Sequence, residues 1–525
     1  MRRNLQHRLM LGSSMGNRGK GCWVIWGLLA LFLALWAVFL PGLWPMGWLL
    51  YGVYSNPIGW LVPLLMAAGL GVLGTRLKLE WKAFWLLLGV LLAPIWLVWM
   101  LIAQPVMLQG LYERTVYEPA ALIPLMESRA VSYAEARENF KNQNPDTRFA
   151  PGDLDYVNGH WVAEFGPNGG IDLLNKLIYP SQGFFLYDPE GVDKVQIVRQ
   201  AMPFAENGLL WNSVEFFVRQ HDPFVEYHEV LYVQDGQGGY LAMISLLKRS
   251  GWARVPYVAQ IALIHADGNA EWLTPQEAEA DPRLERVQIE PEWLAAMKTE
   301  AYGWRNGLWA GLVTRQGRVS VQRSAVNQEN SAPYHLASAQ GMMWYTPFGP
   351  LMKDSLKGIM MEASNKIDGP VYVWELPQDQ AYQGVDALAT EIKAAPNHPA
   401  DVNWLRVSQG EESEVRSGDT DVIELLPAPR LENGQVALYF TGFVAIDPPT
   451  RTRFYVIVNA ETRQVLQDVY SAAEVDAWLR GELALAAQRD GQKAAGLESK
   501  LNLAEMSKED LLDLLEAVVE ELRKR

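Results

Sequence analysis

Apolar residues run without amphipathic period through the first part of the chain. Trp23–Leu40, Ile58–Thr75 and Ala83–Ala103 are each close to the about 20 residues of helix needed to cross a bilayer. No charged residue occurs between Lys20 and Arg76. The pattern predicts three membrane-spanning helices within a region 23–104. Between the first two, "PGLWPMGWLLYGVYSNP" is uncharged and holds prolines, tryptophans and tyrosines. That composition suits an interfacial or re-entrant piece, with an extra span over 41–57 as the alternative. Gly69-x-Gly71-x-x-Gly74 has the spacing of a dinucleotide-binding turn. No alternating strand precedes it and no amphipathic helix follows it, so the small residues are read as a close-packing face of a membrane helix.

Beyond the third run the pattern changes. Within a helical connector, 105–152, Ser132-x-x-Glu135 is a capping-box signature. From Asp153 to about residue 480, apolar and polar positions alternate around Gly- and Asp-containing turns. This predicts antiparallel strands with helices interspersed, in two α+β parts, 153–320 and 321–480. One strand–turn–strand unit recurs, starting at Gly183, Tyr257, Leu356 and Arg453. The second and fourth copies run into helix starts, "TPQEA" and "SAAEV". A helix returning onto one face of such strands gives an α+β layer. In the helical tail, 481–525, a segment capped at Ser507 carries Leu511, Leu515, Val518 and Leu522 as an apolar stripe. Docking on its own domain is expected of it, with self-association through 501–525 as the alternative.

Charge gives the two regions a direction. Residues 1–104 hold eight of the 45 basic residues and one of the 60 acidic ones, which leaves 37 and 59 beyond, a net charge of −22. So acidic a surface repels phosphate backbones, and nucleic acid is not an expected partner. The tail 1–22 carries five basic residues and the 76–82 loop three, while 41–57 carries none. The positive-inside rule places the tail and that loop in the cytoplasm and residues 105–525 outside it. Ten of the 21 tryptophans fall within 23–99, several near expected span ends, as an aromatic belt requires. Cys22 is the single cysteine, so no disulfide forms within the chain; an unmodified thiol is expected, with palmitoylation as the alternative.

Candidate chemistry is sparse. Gly12-Ser13-Ser14-Met15-Gly16 matches a nucleophile elbow but lies in the polar tail, without the strand and helix such a turn needs. Ser245-x-x-Lys248 falls on an expected strand, where positions three apart face opposite ways. The densest polar cluster is "QHDPFVEYHEV", with His221, Asp222, Glu226, His228 and Glu229. On a strand Glu226 and His228 would share a face, and an imidazole beside a carboxylate can share a proton or ligate a metal. His221, Glu226 and His228 are therefore the catalytic candidates, although a solvated strand edge is the expected state. No metal-ligand spacing accompanies them, and neither a cofactor nor a metal is expected. "GMMWYTPFGPLM", Gly341–Met352, is expected to pack in the core, with a peptide- or lipid-binding groove as the alternative and its Pro-Phe-Gly-Pro stretch as a surface turn.

Val458-Asn459-Ala460-Glu461-Thr462 and Ile264-His265-Ala266-Asp267-Gly268, each between strands and followed by a capped helix, resemble the PepSY-like modules of bacterial envelope proteins. The resemblance covers about 50 residues per copy and implies a non-catalytic α+β fold, with restraint of a peptidase as one role such modules take. The expected protein is a multi-pass membrane protein carrying a large acidic α+β region. Its expected function is non-enzymatic binding, scaffolding or regulation in a cell envelope, with the bilayer and an envelope protein or peptide as partners. A membrane-anchored enzyme with its site near 221–229, and a structural subunit of a larger complex, are the alternatives.

Overall fold

The computed structural model describes residues 51–485 except 74–78, 145, 147, 169–172, 189–193, 237, 323, 328–329, 352, 378–379, 397, 400–401, 405–418 and 447–450. The Gly12–Gly16 pattern, Cys22, the expected span Trp23–Leu40 and the stripe of Leu511, Leu515, Val518 and Leu522 lie outside the described residues.

Two apolar helices lead the described chain, α1 (Pro57–Leu73) and α2 (Leu79–Arg114). Asn56 caps α1: its side-chain oxygen accepts from the Gly59 amide at 3.0 Å and from the Trp99 indole of α2 at 2.8 Å. The Trp96 indole donates to the Gly59 carbonyl at 3.0 Å, so the start of α1 is tied to the middle of α2. Gly69 and Gly71 lie within α1, so they form no cofactor turn. Three spans are not supported. Among the described residues only Val90–Arg114 is long and apolar enough to cross a membrane; α1 has 17 residues. The third expected span, Ala83–Ala103, is also displaced, because the helix continues through Gln104 and Pro105 to Arg114. Its last turns are held by the α+β region, where Val106, Leu108 and Leu111 are buried, whereas Val90 to Leu101 present their apolar side chains outward.

The rest is α+β, as expected. Strands β1 (Tyr117–Pro119), β2 (Phe149–Val157), β3 (His160–Pro167), β4 (Phe184–Tyr187) and β5 (Val195–Val198) come first, with helices α3 (Tyr133–Gln143) and α4 (Leu173–Ile178) among them. Helix α5 (Val214–His221) precedes β6 (Leu231–Gln234), β7 (Tyr240–Ser250), β8 (Val255–Ile264) and β9 (Ala270–Leu273). Helices α6 (Pro275–Glu279) and α7 (Glu292–Tyr302) lead to β10 (Val319–Val321), β11 (Tyr334–Ser338), β12 (Gly341–Pro350), β13 (Ser355–Leu356), β14 (Gly358–Ala363), β15 (Val371–Glu375) and β16 (Tyr382–Gln383). Helix α8 (Val385–Ala394), strands β17 (Asn403–Trp404), β18 (Asp419–Glu432), β19 (Gln435–Ile446) and β20 (Arg451–Asn459), and helix α9 (Ala472–Leu479) complete it.

Five sheets result among the described residues: β2–β3–β4–β5, β6–β7–β8–β9, β1–β15–β14–β12–β10 with β11 also on β12, β17–β18–β19–β20, and the short pair β13–β16. Pairing is antiparallel except for β1 on β15 and β17 on β18. Three of the expected strand–turn–strand units are antiparallel pairs, β4/β5, β8/β9 and β14/β15; in the fourth, β20 is bridged by Val465 and Val469. Four core clusters sit on these sheets, the smallest being Val319, Phe348, Met360, Val371 and Val373 on β10, β12, β14 and β15; the other three are larger. One lies beneath β2–β5 with α3, one joins β6–β9 to α7 and the end of α2, and the largest joins β11, β12, β14 and β18–β20 to α8 and α9.

Two local expectations need correction. Pro347–Pro350 forms no surface turn but continues β12: Pro347 pairs with Ile359, and its carbonyl accepts from the Gln322 amide at 2.9 Å. Met342, Met343, Trp344, Tyr345 and Phe348 are buried, so this run is core, as the packing expectation had it. At Ser132 only half of the capping box forms. Its hydroxyl accepts from the Glu135 amide, but the Glu135 carboxylate reaches the Thr452 amide at 2.7 Å instead of turning back.

Candidate functional site

The sequence cluster 221–229 is divided by the fold. His221 ends α5, its ring stacked on Trp272 at 3.7 Å and its Nε2 3.2 Å from the Gln260 side-chain oxygen, on an exposed edge. Asp222 pairs with Lys248 at 2.5 Å. Glu226 lies in no regular strand; a single bridge to Leu247 holds its backbone, and both its carboxylate oxygens accept from Nη2 of Arg249, at 3.1 and 3.2 Å. A carboxylate so paired is not free to act as a base. His228 and Glu229 turn the other way, into a cleft.

That cleft, about 390 Å³, lies between β2, the exposed side of α7 and the segment before β6. Local sequence explains each wall. In β2 the ladder jumps from Pro151–Phe165 to Leu154–Ala163, so Gly152 and Asp153 bulge, and Asp153 and Asp155 both line the cleft. Helix α7 starts after Pro291 and buries Leu294, Ala295, Met297, Lys298 and Ala301. Glu292, Ala296 and Glu300, four apart, therefore share the opposite side and face the cleft. The Glu292 amide donates to the Glu229 carboxylate at 3.2 Å, which seats Glu229 at the positive end of α7. Trp293 lies flat on His228 at 4.1 Å.

Five carboxyl groups thus line the cleft (Asp153, Asp155, Glu229, Glu292 and Glu300), and no Lys or Arg does so among the described residues. Burial and mutual repulsion keep several of them protonated. Burial, with Glu292 nearby, pushes Glu229 up to about 8. Burial pushes Glu292 up to about 7, Asp153 adding to it and Arg129 opposing. Asp155 is raised by burial and then by Glu229, Asp153 and Glu292. Burial and the Arg249 charge lower His228 to about 4, so its ring is neutral near pH 7. The cleft is therefore short of positive charge. Among the described residues no group of three or more His, Cys, Asp or Glu side chains is arranged to hold a metal ion.

A larger cavity, about 570 Å³, lies between α8 and β18 and shares Tyr133 and Asn330 with the cleft. Its charges are already satisfied. Lys393 pairs with Asp421. Asp386 accepts from Ser324 and the Ala325 amide at 2.5 and 2.8 Å, and Glu424 accepts from the Tyr133 amide at 2.8 Å and from Arg129 at 3.5 Å. Size favours this cavity, whereas unmet electrostatic demand favours the smaller cleft. An ionic ligand gains most where charge is uncompensated, so the cleft is the better candidate.

Sequence reasoning found His228 and Glu229 and missed Asp153, Asp155 and Glu292. The available signals were Asp-x-Asp at alternate strand positions in "GDLDYV" and an acidic residue directly after Pro291. The two serine motifs have structural roles or lie outside the described residues: Ser245 donates to the Ile289 carbonyl at 2.6 Å, and Lys248 is taken by Asp222. No family model matches the chain, and no curated protein or solved structure matches it either.

Proposed function

We propose that the chain is a non-enzymatic, membrane-anchored binding module, and that the acidic cleft takes a cationic group, a Lys or Arg side chain, offered by an envelope protein or peptide. The observation that carries this is the set of five cleft carboxyls without a cationic partner among the described residues. Trp293 and Tyr133 also line the cleft. In this proposal the helix pair α1–α2, with Trp23–Leu40 as a further span, holds the acidic region outside a bacterial cytoplasmic membrane. The hairpins with their following helices act as PepSY-like scaffolds in the same picture.

The test uses the full-length protein in nanodiscs, titrated with an oligolysine peptide and a length-matched oligoglutamine peptide at physiological salt. Saturable binding of oligolysine alone is expected, weakened about tenfold or more by Glu229→Gln with Glu292→Gln, since hydrogen bonds to charged groups contribute about 1.5–3 kcal/mol. The surface pair Glu461→Gln with Glu474→Gln serves as the charge-matched control. Equal loss in both double variants would reduce the effect to net charge and sink the proposal.

A second reading, a membrane-anchored hydrolase, is favoured by one observation. Glu229 and Glu292 are adjacent and hold protons up to about 8 and about 7, as a general acid does. Labelling of Glu229 by a carboxyl-directed mechanism-based probe, abolished by Glu229→Gln, would favour it over simple binding.

A further inference from the structure

The outward-facing apolar surface of α2, Val90 to Leu101, ends where Val106 becomes buried against the α+β region. The polar boundary of a bilayer around this helix therefore falls near Leu101–Val106. The β7–β8 hairpin descends toward that level along α2. The Arg114 guanidinium lies 4.9 Å over the Tyr257 ring, while a Cβ at Gly110 would touch Val255 and Ala253, so positions further down the hairpin meet positions further down the helix. The next residues, Gly251 and Trp252, form the tip.

The other helix places the tip independently. The Tyr54 hydroxyl donates to the Arg249 carbonyl at 2.9 Å, and the Arg254 guanidinium lies 4.1 Å over the Tyr54 ring. Tyr54 stands two residues before Asn56, which is bonded to Trp99 in the outward-facing part of α2. The hairpin tip is thus pinned at the depth where the apolar surface stops.

At this depth Trp252 is 75% exposed, on a turn whose conformation is fixed by Gly251 (φ 66°) and Arg254 (φ 56°). Phe224, also exposed, packs its ring at a 45° tilt against Tyr54, 5.2 Å away. Lys248 and Arg249 are neutralised by Asp222 and Glu226, whereas Arg254 has no carboxylate partner among the described residues. An exposed indole next to an unneutralised guanidinium matches the headgroup zone, where tryptophan rings settle and phosphates accept from arginine. We propose that the Ser250–Arg254 turn is a second membrane contact, with Trp252 at the boundary of acyl chains and headgroups and Arg254 against a lipid phosphate. It rests on the membrane half of the preceding reading and not on the cleft.

The test places a fluorescent label at one cysteine of the full-length chain, in a Cys22→Ser background, reconstituted in phosphatidylcholine–phosphatidylglycerol vesicles. Three sites are compared, Val98→Cys on α2, Trp252→Cys on the tip, and Tyr470→Cys on an exposed surface of the β20–α9 connection. Quenching by headgroup-region spin-labelled lipid is expected to be about threefold or more stronger at 252 than at 470, with 98 quenched best by a deep acyl-chain label. A label at 252 that behaves like 470 while 98 is quenched would overturn the second contact and leave the span standing. A label at 98 open to aqueous iodide would overturn both. Protection of 252 from lipid and aqueous quenchers alike would show a protein neighbour there and would also overturn it. Arg254→Gln is expected to reduce the headgroup quenching at 252 when phosphatidylglycerol is present.

Discussion

Glu229 and Glu292 give the cleft a pH signature. Both carboxyls hold protons in the folded state up to about 8 and about 7, against an ordinary glutamate value near 4.5. Between those limits the folded chain binds protons that the unfolded chain has released, so stability falls as pH rises. Thermal unfolding of the protein in nanodiscs is expected to give a midpoint that declines from pH 5 to pH 8. Glu229→Gln is expected to lessen that decline and to melt higher than the parent at pH 8, because an amide resembles the neutral carboxyl. A variant that melts lower at pH 8 would mean that Glu229 is ionised and usefully paired. Cation binding, which favours the ionised forms, should for the same reason tighten with pH and release protons. Only part of this site was legible in the sequence. His228 and Glu229 stood out as dense polar residues, but Asp153 and Asp155 resembled the solvent face of a strand. Glu292 resembled an ordinary acid at a helix start, and only the bulge in β2 and the buried side of α7 bring these groups together.

Elements were most legible where local chemistry and tertiary packing agree. The Asp267–Gly268 turn, with Gly268 at φ 86°, joins β8 to β9, and Thr274 caps α6 with a full capping box to Glu277. Where packing outweighed local signals, the sequence misled. The Glu135 carboxylate left its own helix start for Thr452, and Pro347 stayed in a strand because its pairing with β14 needs no amide from it. Arg129 shows the same dependence on distant partners. It stands 4.9 Å from both the Tyr156 and Trp161 rings, 3.5 Å from Glu424 and 3.3 Å from the His335 carbonyl, and so joins three sheets to the segment before α3. Removing one member of a buried ion pair costs about 3–5 kcal/mol, so Arg129→Met is expected to lower denaturant stability by that order. Arg129→Lys should recover little of it, because an ammonium lacks the planar fork that reaches ring, carboxylate and carbonyl together. A loss below about 1 kcal/mol, the range of an exposed pair, would mean that Glu424 is neutral in the folded protein. Ser132→Ala, which removes the cap of α3, should cost about 1 kcal/mol.

At the scale of the whole molecule, the helix pair separates two regions of opposite charge. Arg76 and Lys78 lie between α1 and α2 in the sequence and Lys82 in the first turn of α2, while residues beyond 104 carry the acidic excess. The apolar runs were easy to read in the sequence but their limits were not, since hydropathy does not reveal that the last turns of α2 are buried by protein rather than lipid. Charge asymmetry predicts that the loop stays in the cytoplasm and the acidic region crosses. Protease added to intact cells made permeable only at their outer layer is expected to degrade the region after Gln104 and to leave a small fragment bearing the N-terminal tail. A reporter cysteine at Lys78→Cys, in a Cys22→Ser background, should react with a membrane-impermeant maleimide only after lysis. Both results are needed, because a protected α+β region with an accessible loop would mean that the chain inserts the other way round. A protected region with a protected loop would mean that α2 does not cross the membrane. Either outcome would turn the search for a cationic partner of the cleft toward cytosolic proteins, and the expected one directs it to basic segments on the outer face of the membrane.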